Sequence, residues 1–455
     1  MTVHVFVGPT LAGRDVLSIL PGSVVHPPIV HGDLLRLRFA SGDVVVIIDG
    51  YYHQSASVRH KEIMTLLADG VAVIGCASMG ALRAAELAEY GMIGSGAIYR
   101  MYRAGVLDAD DEVAVAHGPA PDYRSFTVPL VVIRHAVDMA VRFGVLGEND
   151  AALILRAALA IRYSERSWLA VRRAVDATES GANCGAALLE FVESHPAATN
   201  IKAADALDTL RRIADGELPD GRPSALPWVL TDWRNRHVGE WRAEFAVSRV
   251  SDVEVSESLV VRYQQLYLDE FPARWERYAL GRIADAGSAD SGSTDEDLIT
   301  RALTKAAQDG LTAASMTDAQ FRYWLTGQEK SNLSVDEAML RVLVRSYQPL
   351  HPTRDLIDDQ PDLVADGNVR RVVAEAVTVN AEVASWGYKN TIDHLKLSVL
   401  QRHLADVWRI DESDLSALLA AARDRGFESI GAATRAARVF VLLKSFLNKS
   451  PSPVG

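Results

Sequence analysis

Residues 73–87 read VIGCASMGALRAAEL. An apolar run ends in a turn of small residues, and a helical pattern starts at once. Ser78 stands at the tip of the turn, two residues after Cys76, and Gly80 and Ala81 add no bulk behind it. A hydroxyl at a helix start lies beside main-chain N–H groups with no partner inside the helix, here those of Met79, Gly80 and Ala81. The helix dipole adds partial positive charge. Such a place suits an anion: a carboxylate, a phosphate, a thiocarboxylate or the oxyanion of a tetrahedral intermediate. Ser78 could attack an acyl carbon or orient a water. It could equally be a helix N-cap, the common use of serine at such a position. The string is not a G-x-S-x-G nucleophile elbow, because Cys76 stands where the first glycine belongs. Cys76 has two readings of its own: a small buried residue, or a thiolate favoured by the helix N-terminus.

Other side chains could serve the same chemistry. Asp49 follows the apolar run Val44–Ile48, where an acid serves either an active site or an ordinary turn. His117 follows Val113–Ala116 and fits a general base or a hydrogen-bonded structural histidine. His60, in RHKEI, opens a helical pattern and fits a proton acceptor or a solvated surface. Arg83 and Glu86 lie one helical turn apart and could contact a ligand or form a surface pair. The acidic run Asp108, Asp110, Asp111 and Glu112 has no histidine or glycine-turn loop beside it. A solvated turn is expected there, and neither metal nor cofactor is assigned.

These residues need a frame that brings them together. Four short β-branched runs, Val3–Val7, Val44–Ile48, Val71–Ile74 and Val113–Ala116, occur in the first part of the chain. Helical patterns separate the second run from the third (Ser57–Ala68) and follow the third (Met79–Glu89). Near-continuous apolar strands alternating with helices predict a parallel sheet covered by helices. Its site belongs at the carboxyl ends of the strands. Those ends carry Gly8-Pro9-Thr10, Asp49 to His53, Cys76 to Ser78, and His117-Gly118-Pro119. Beyond Phe126, helical patterns dominate. The fold class expected is α/β, a small open parallel sheet with flanking helices at the N-terminus, followed by an all-α region. Three segments are expected: a core at 1–165, a helical region at 166–285 attached to it, and a C-terminal helical domain at 294–450. The Gly/Ser/Asp-rich stretch 285–297 reads as a linker.

Composition narrows the function classes. A chain of 455 residues is too long for one core. Its formal net charge of −12 argues against nucleic acid as the main partner. Two cysteines without zinc spacing exclude a disulfide framework and a structural zinc site. No stretch approaches the roughly 20 apolar residues of a membrane span, and the N-terminus lacks a signal-peptide pattern. A cytoplasmic location and no membrane partner are expected.

Three strings, DGYYHQSASVRHKEI, AVIGCASMGALRAAELAEYGMIGSGAIYRMYRAGVL and DDEVAVAHGP, together resemble the core of the TfuA-like family over about residues 45–160. That resemblance implies a partnership with a YcaO-family enzyme, which uses ATP to activate a backbone amide oxygen and accepts a sulfur nucleophile to install a thioamide. It implies a role in ribosomal peptide natural product biosynthesis, with a ThiS-like sulfur carrier as second partner. One role implied is hydrolysis of the carrier's C-terminal thiocarboxylate, releasing sulfide. The other is a non-catalytic adaptor that binds and activates the YcaO enzyme. On the first, Ser78 would be nucleophile or water-orienter, His117 or His60 would take the proton, and Asp49 would orient the base. Cys76, Met79, Gly80, Ala81, Arg83 and Glu86 would line the carrier tail. The helical half could hold a precursor peptide or mediate self-association into a homo-oligomer.

Overall fold

The computed structural model describes residues 1–52, 55–178, 183–217, 227–230, 236–284, 294–349, 351–387 and 391–443. His53 and residues 285–293 of the expected linker lie outside the described residues. The chain divides into two compact units, Met1–Trp233 and Arg234–Gly455.

The first unit is built on five parallel strands: β1 (Val3–Phe6), β2 (Val24–His26), β3 (Val44–Ile47), β4 (Ala72–Gly75) and β5 (Ile93–Gly94). Their order in the sheet is β2-β1-β3-β4-β5. The central registers, Val5↔Val46 and Val46↔Ile74, place branched apolar residues side by side. All four residues of β3 are buried, because helices cover both faces of a parallel sheet. Alternate strand residues feed two cores. Val5, Val44, Val46 and Ile74 pack with Val16 of α1 (Gly13–Ile19). Phe6, Val45, Ile47 and Val73 pack with Ile63 of α3 (His60–Ala68) and with Ala84 and Leu87 of α4 (Met79–Leu87). The short α2 spans Asp33–Arg36 and α5 spans Gly96–Arg103. Beyond them, α6 (Leu130–Arg142), α7 (Glu148–Leu159), α8 (Trp168–Asp176) and α9 (Cys184–Ser194) share their own core around Ile133, Ile154, Val171 and Phe191.

After the short α10 (Pro196–Thr199), α11 (Ile201–Ala214) returns to the sheet, and its Ala206, Leu210 and Ile213 complete the core of Val5 and Val46. Asp205 of α11 accepts the N–H groups of Ala97 and Ile98, both at 2.8 Å, and so caps α5 from a distant part of the chain. The sheet is thus closed by a helix from beyond residue 165.

The strand β2 is not among the four runs of the sequence reading, and two further details differ. The run Val113–Ala116 is not a sheet strand. The place beside β4 is taken by Ile93–Gly94, paired Ile74↔Ile93 and Gly75↔Gly94. Residues 113–116 instead bond to side chains and to a later loop: the Ala116 N–H donates to Thr127 Oγ1, Ala116 O accepts the Phe126 N–H, and Val113 O accepts from Lys202 Nζ. The second difference is an antiparallel hairpin, β6 (Val247–Val250) with β7 (Val253–Ser256), inside the otherwise helical second unit.

The second unit packs its helices around Phe271, Trp275, Leu298 and Leu343. Thr317 and Ser334 start helices as N-caps with Gln320 and Glu337 as capping-box partners. Tyr323 and Trp324 pack against the Arg423 guanidinium, each ring centroid 4.3 Å away. Among the described residues, no helix is long and apolar enough to cross a membrane.

Gly80 shows how tightly α4 sits on the sheet. A Cβ there would lie 1.7 Å from Ile47 O. Gly80→Ala is expected to lower the stability of the first unit by about 3 kcal/mol, read as an earlier transition in calorimetry. A variant as stable as wild type would show that α4 can move away from β3.

Candidate functional site

The site follows from the sheet order. β2 and β3 lie on opposite sides of β1, so the loops after β1 and β3 diverge and leave a crevice at their carboxyl ends. Asp49 closes the base of that crevice. Its Oδ2 accepts the N–H groups of Gly8 (3.0 Å) and Thr10 (2.9 Å), and its Oδ1 accepts the Thr10 hydroxyl (2.6 Å). The carboxylate therefore shapes the Gly8-Pro9-Thr10 loop. It makes no hydrogen bond to His60 or His117, which departs from the expected role of orienting a base.

The turn after β4 is sharp. Ala77 lies in the left-handed region with φ of 63°, which costs a non-glycine residue about 1 kcal/mol. The Ser78 N–H closes the turn onto Cys76 O at 2.7 Å. Ser78 has φ −131° and ψ −127°, outside the extended conformation of a capping residue, and its side chain makes no cap hydrogen bond. The hydroxyl is buried yet not spent on the helix. Of the three N–H groups expected to be free, Gly80 donates to Ile48 O (3.2 Å) and Ala81 to Ser78 O (3.0 Å). Only that of Met79 has no acceptor among the described residues.

Ser78 and Met79 line a cavity of about 100 Å³ together with Asp49, Tyr51, Tyr52 and His117. His117 reaches it from outside the sheet. A short antiparallel bridge to Ser125 holds its backbone. Its Nδ1 lies 2.8 Å from Gly118 O. A carbonyl can only accept, so Nδ1 carries the proton, and in the neutral ring Nε2 is left as a base. No hydrogen bond joins His117 to Ser78; the two share the cavity without touching. Tyr52 donates to Asp110 at the rim, and burial, followed by that carboxylate, pushes its phenol up to about 12.

The remaining candidates are elsewhere. His60 Nε2 lies 2.9 Å from Glu86 Oε2, which also accepts from Arg83 Nη1 at 2.6 Å. Burial alone would raise the Glu86 carboxyl. The hydrogen bonds from His60 and Arg83 outweigh it and hold the group below its ordinary value. None of the three lines the cavity of Ser78. Gly80 and Ala81 are buried beneath the turn. Cys76 is fully buried in the core of Val5 and Val46, and burial pushes its thiol up to about 12, with Thr209 opposing weakly. This corrects the reading of Cys76 as a ligand contact or thiolate. It points to the other face of the sheet edge, where desolvation outweighs any pull of the helix dipole.

Three of the four acids of the run are engaged: Asp110 with Tyr52, Asp111 with the buried Arg166 (3.1 Å), and Glu112 with Arg134 (2.8 Å). Among the described residues no three His, Cys, Asp or Glu side chains gather as a metal site. The sequence places Thr10 and Tyr52 at strand ends but assigns them no role, and it does not point to Lys202. Lys202 lies in a helix far along the chain, with no strand end to flag it.

Residues 49–167 match the family model described as TfuA-like protein. Over that stretch the chain is similar to the TfuA-like family. The TfuA-like family is associated with YcaO-dependent thioamidation and linked to partnership with YcaO enzymes. No curated protein matches the chain. The TfuA-like stretch contributes Asp49, Ser78 and His117 to the cavity, while Pro9 comes from before it.

Two outcomes check this geometry. Ser78→Ala is expected to change stability by less than about 0.5 kcal/mol, where loss of a capping hydroxyl would cost about 1 kcal/mol. In the native protein neither Cys76 nor Cys184 should react with a thiol-specific disulfide reagent on the timescale of an exposed cysteine, and both should react after unfolding. Fast native labelling at Cys76 would contradict its burial.

Proposed function

We propose that this protein hydrolyses the C-terminal thiocarboxylate of a ThiS-like sulfur carrier and so supplies sulfide to a YcaO enzyme for backbone thioamidation. The observation that supports this reading is the meeting, in one small cavity, of an unspent serine hydroxyl with a histidine whose Nε2 is basic. A carrier tail ending in Gly-Gly-thiocarboxylate is anionic and, since its last two residues carry no side chains, narrow. Ser78 Oγ attacks the thiocarboxylate carbon, and its proton passes to His117 Nε2. The C–S bond then breaks, an ester to Ser78 forms, and the sulfur takes the proton and leaves as hydrosulfide. Water, deprotonated by the same imidazole, hydrolyses the ester. The products are the carrier carboxylate and a proton, and Ser78 is restored. The Met79 N–H is the donor available to the oxyanion.

A second reading has an observation in its favour. With the Gly80 and Ala81 N–H groups already bonded, the oxyanion has one main-chain donor at this turn rather than three. In an adaptor that binds and activates the YcaO enzyme without chemistry, no more would be needed.

The test uses the full-length protein, a thiocarboxylated ThiS-like carrier, and reactions with and without the YcaO partner. Intact mass follows replacement of sulfur by oxygen, and a sulfide assay follows release. Ser78→Ala and His117→Asn are each expected to slow conversion at least about 100-fold. Unchanged turnover in Ser78→Ala would remove the serine mechanism. No conversion by wild type, with the YcaO enzyme still bound and activated, would establish the adaptor.

A further inference from the structure

A second cavity, of about 270 Å³, shares Pro9 and Val115 with the first. Its walls are largely apolar, with Val132, Trp168 and Val192 among them. Into this setting α11 brings Lys202, which is only 4% exposed. A buried ammonium is costly unless its donors are satisfied. Lys202 Nζ donates to Val113 O at 3.0 Å, and this is its one acceptor among the described residues. An ammonium has three donors, so two remain.

The neighbouring polar side chains add donors of the same kind. Thr127 Oγ1 accepts the Ala116 N–H at 2.7 Å, leaving its own hydrogen unspent. Asn200 Oδ1 accepts the Ala203 N–H at 3.2 Å as the N-cap of α11. That bond fixes which amide atom is oxygen, and both Nδ2 hydrogens remain available. No Asp or Glu lines the cavity. What it lacks is an acceptor-only group.

We propose that this cavity binds a small organic monoanion, a carboxylate or thiocarboxylate on a short apolar stem, held by Lys202 with Thr127 and Asn200 as further donors. One ammonium balances one charge; a phosphate dianion would leave a buried negative charge uncompensated. The apolar walls select a stem over a hydrated inorganic ion. Burial lowers the Lys202 pKa and Asp49 opposes that shift, and a bound anion would oppose it further. The site uses residues beyond the TfuA-like stretch and is independent of chemistry at Ser78.

Saturation-transfer NMR on the full-length protein at constant ionic strength tests the proposal. Propionate and thioacetate serve as free acids, and N-acetyl-Gly-Gly as a chain end. Wild type and Ser78→Ala should bind at least one of these saturably. Preference for propionate or thioacetate would identify a free acid, and preference for the peptide a chain terminus. Lys202→Met, which keeps the volume, should weaken binding at least about tenfold. Asn200→Asp keeps an oxygen to cap Ala203 but replaces donors with a negative charge, and should weaken binding similarly even if Lys202→Met does not fold. Absence of saturable binding by wild type, unchanged binding in both variants, or equal competition by inorganic phosphate would overturn the proposal. Absence of thiocarboxylate hydrolysis by the wild type, with binding intact, would count against the Ser78 mechanism alone.

Discussion

The grip of Asp49 on the loop after β1 is the contact on which both cavities depend. A carboxylate only 2% exposed would cost several kcal/mol if left alone. Three donors from Gly8 and Thr10 meet it, and the Lys202 ammonium lies close enough to interact with its charge. The bonds span about 40 residues of sequence and tie the ends of the two strands that flank the switch in sheet order. They fold Gly8-Pro9-Thr10 back toward β3 and set Pro9 as a wall common to both cavities. An acid turned toward the loop in this way makes no hydrogen bond to an imidazole. The carbonyl of Gly118 orients the ring of His117 instead.

A second constraint fixes the serine. The turn from β4 into α4 is tied to β3 twice, by the Cys76 N–H on Ile47 O and by the Gly80 N–H on Ile48 O. These bonds leave no room for a Cβ at residue 80 and force the left-handed Ala77. Ser78 then emerges with a backbone conformation unsuited to capping. Strain held by surrounding packing is a recurrent feature of functional turns. Here the same packing that strains the turn also withdraws the Gly80 N–H from any ligand. Freeing the hydroxyl and keeping three N–H donors are competing demands, and the structure meets the first.

How much of this was legible depends on how local each cause is. The parallel sheet could be read because Val44–Ile48 and Val71–Ile74 are apolar without alternation. The meeting of Asp49, Ser78 and the Gly8-Pro9-Thr10 loop followed from strand order. Val113–Ala116 was misplaced because its β-branched composition matches a strand while its side-chain partners, Thr127 and Lys202, lie 11 and 89 residues away. Cys76 had two readings because a thiol at a helix start and a thiol in a core look the same in sequence; the difference is which face of the sheet edge it points to. His60, Arg83 and Glu86 were each visible, but their joining into one cluster across α3 and α4 rests on helix packing that no spacing rule encodes.

The match to residues 49–167 divides a structure that cannot be divided physically. It begins at Asp49, just after β3, and ends before α11. Within it lie only β4 and the two-residue β5, too little sheet to hold α4 in place. The partners of Asp49 come from residues 8–10, the N-terminal neighbour of β4 is β3, which pairs in turn with β1, and the cover of one sheet face is α11. The first 48 residues and α11 are therefore parts of the same working unit as Ser78 and His117. It follows that α11 has a double task. Ala206, Leu210 and Ile213 shield the sheet from water, while one turn earlier Lys202 brings a cation beneath residues 113–117. Because both depend on one rigid helix docked through Asp205 onto α5, the position of the ammonium relative to Asp49 is set by core packing rather than by a flexible side chain reaching in.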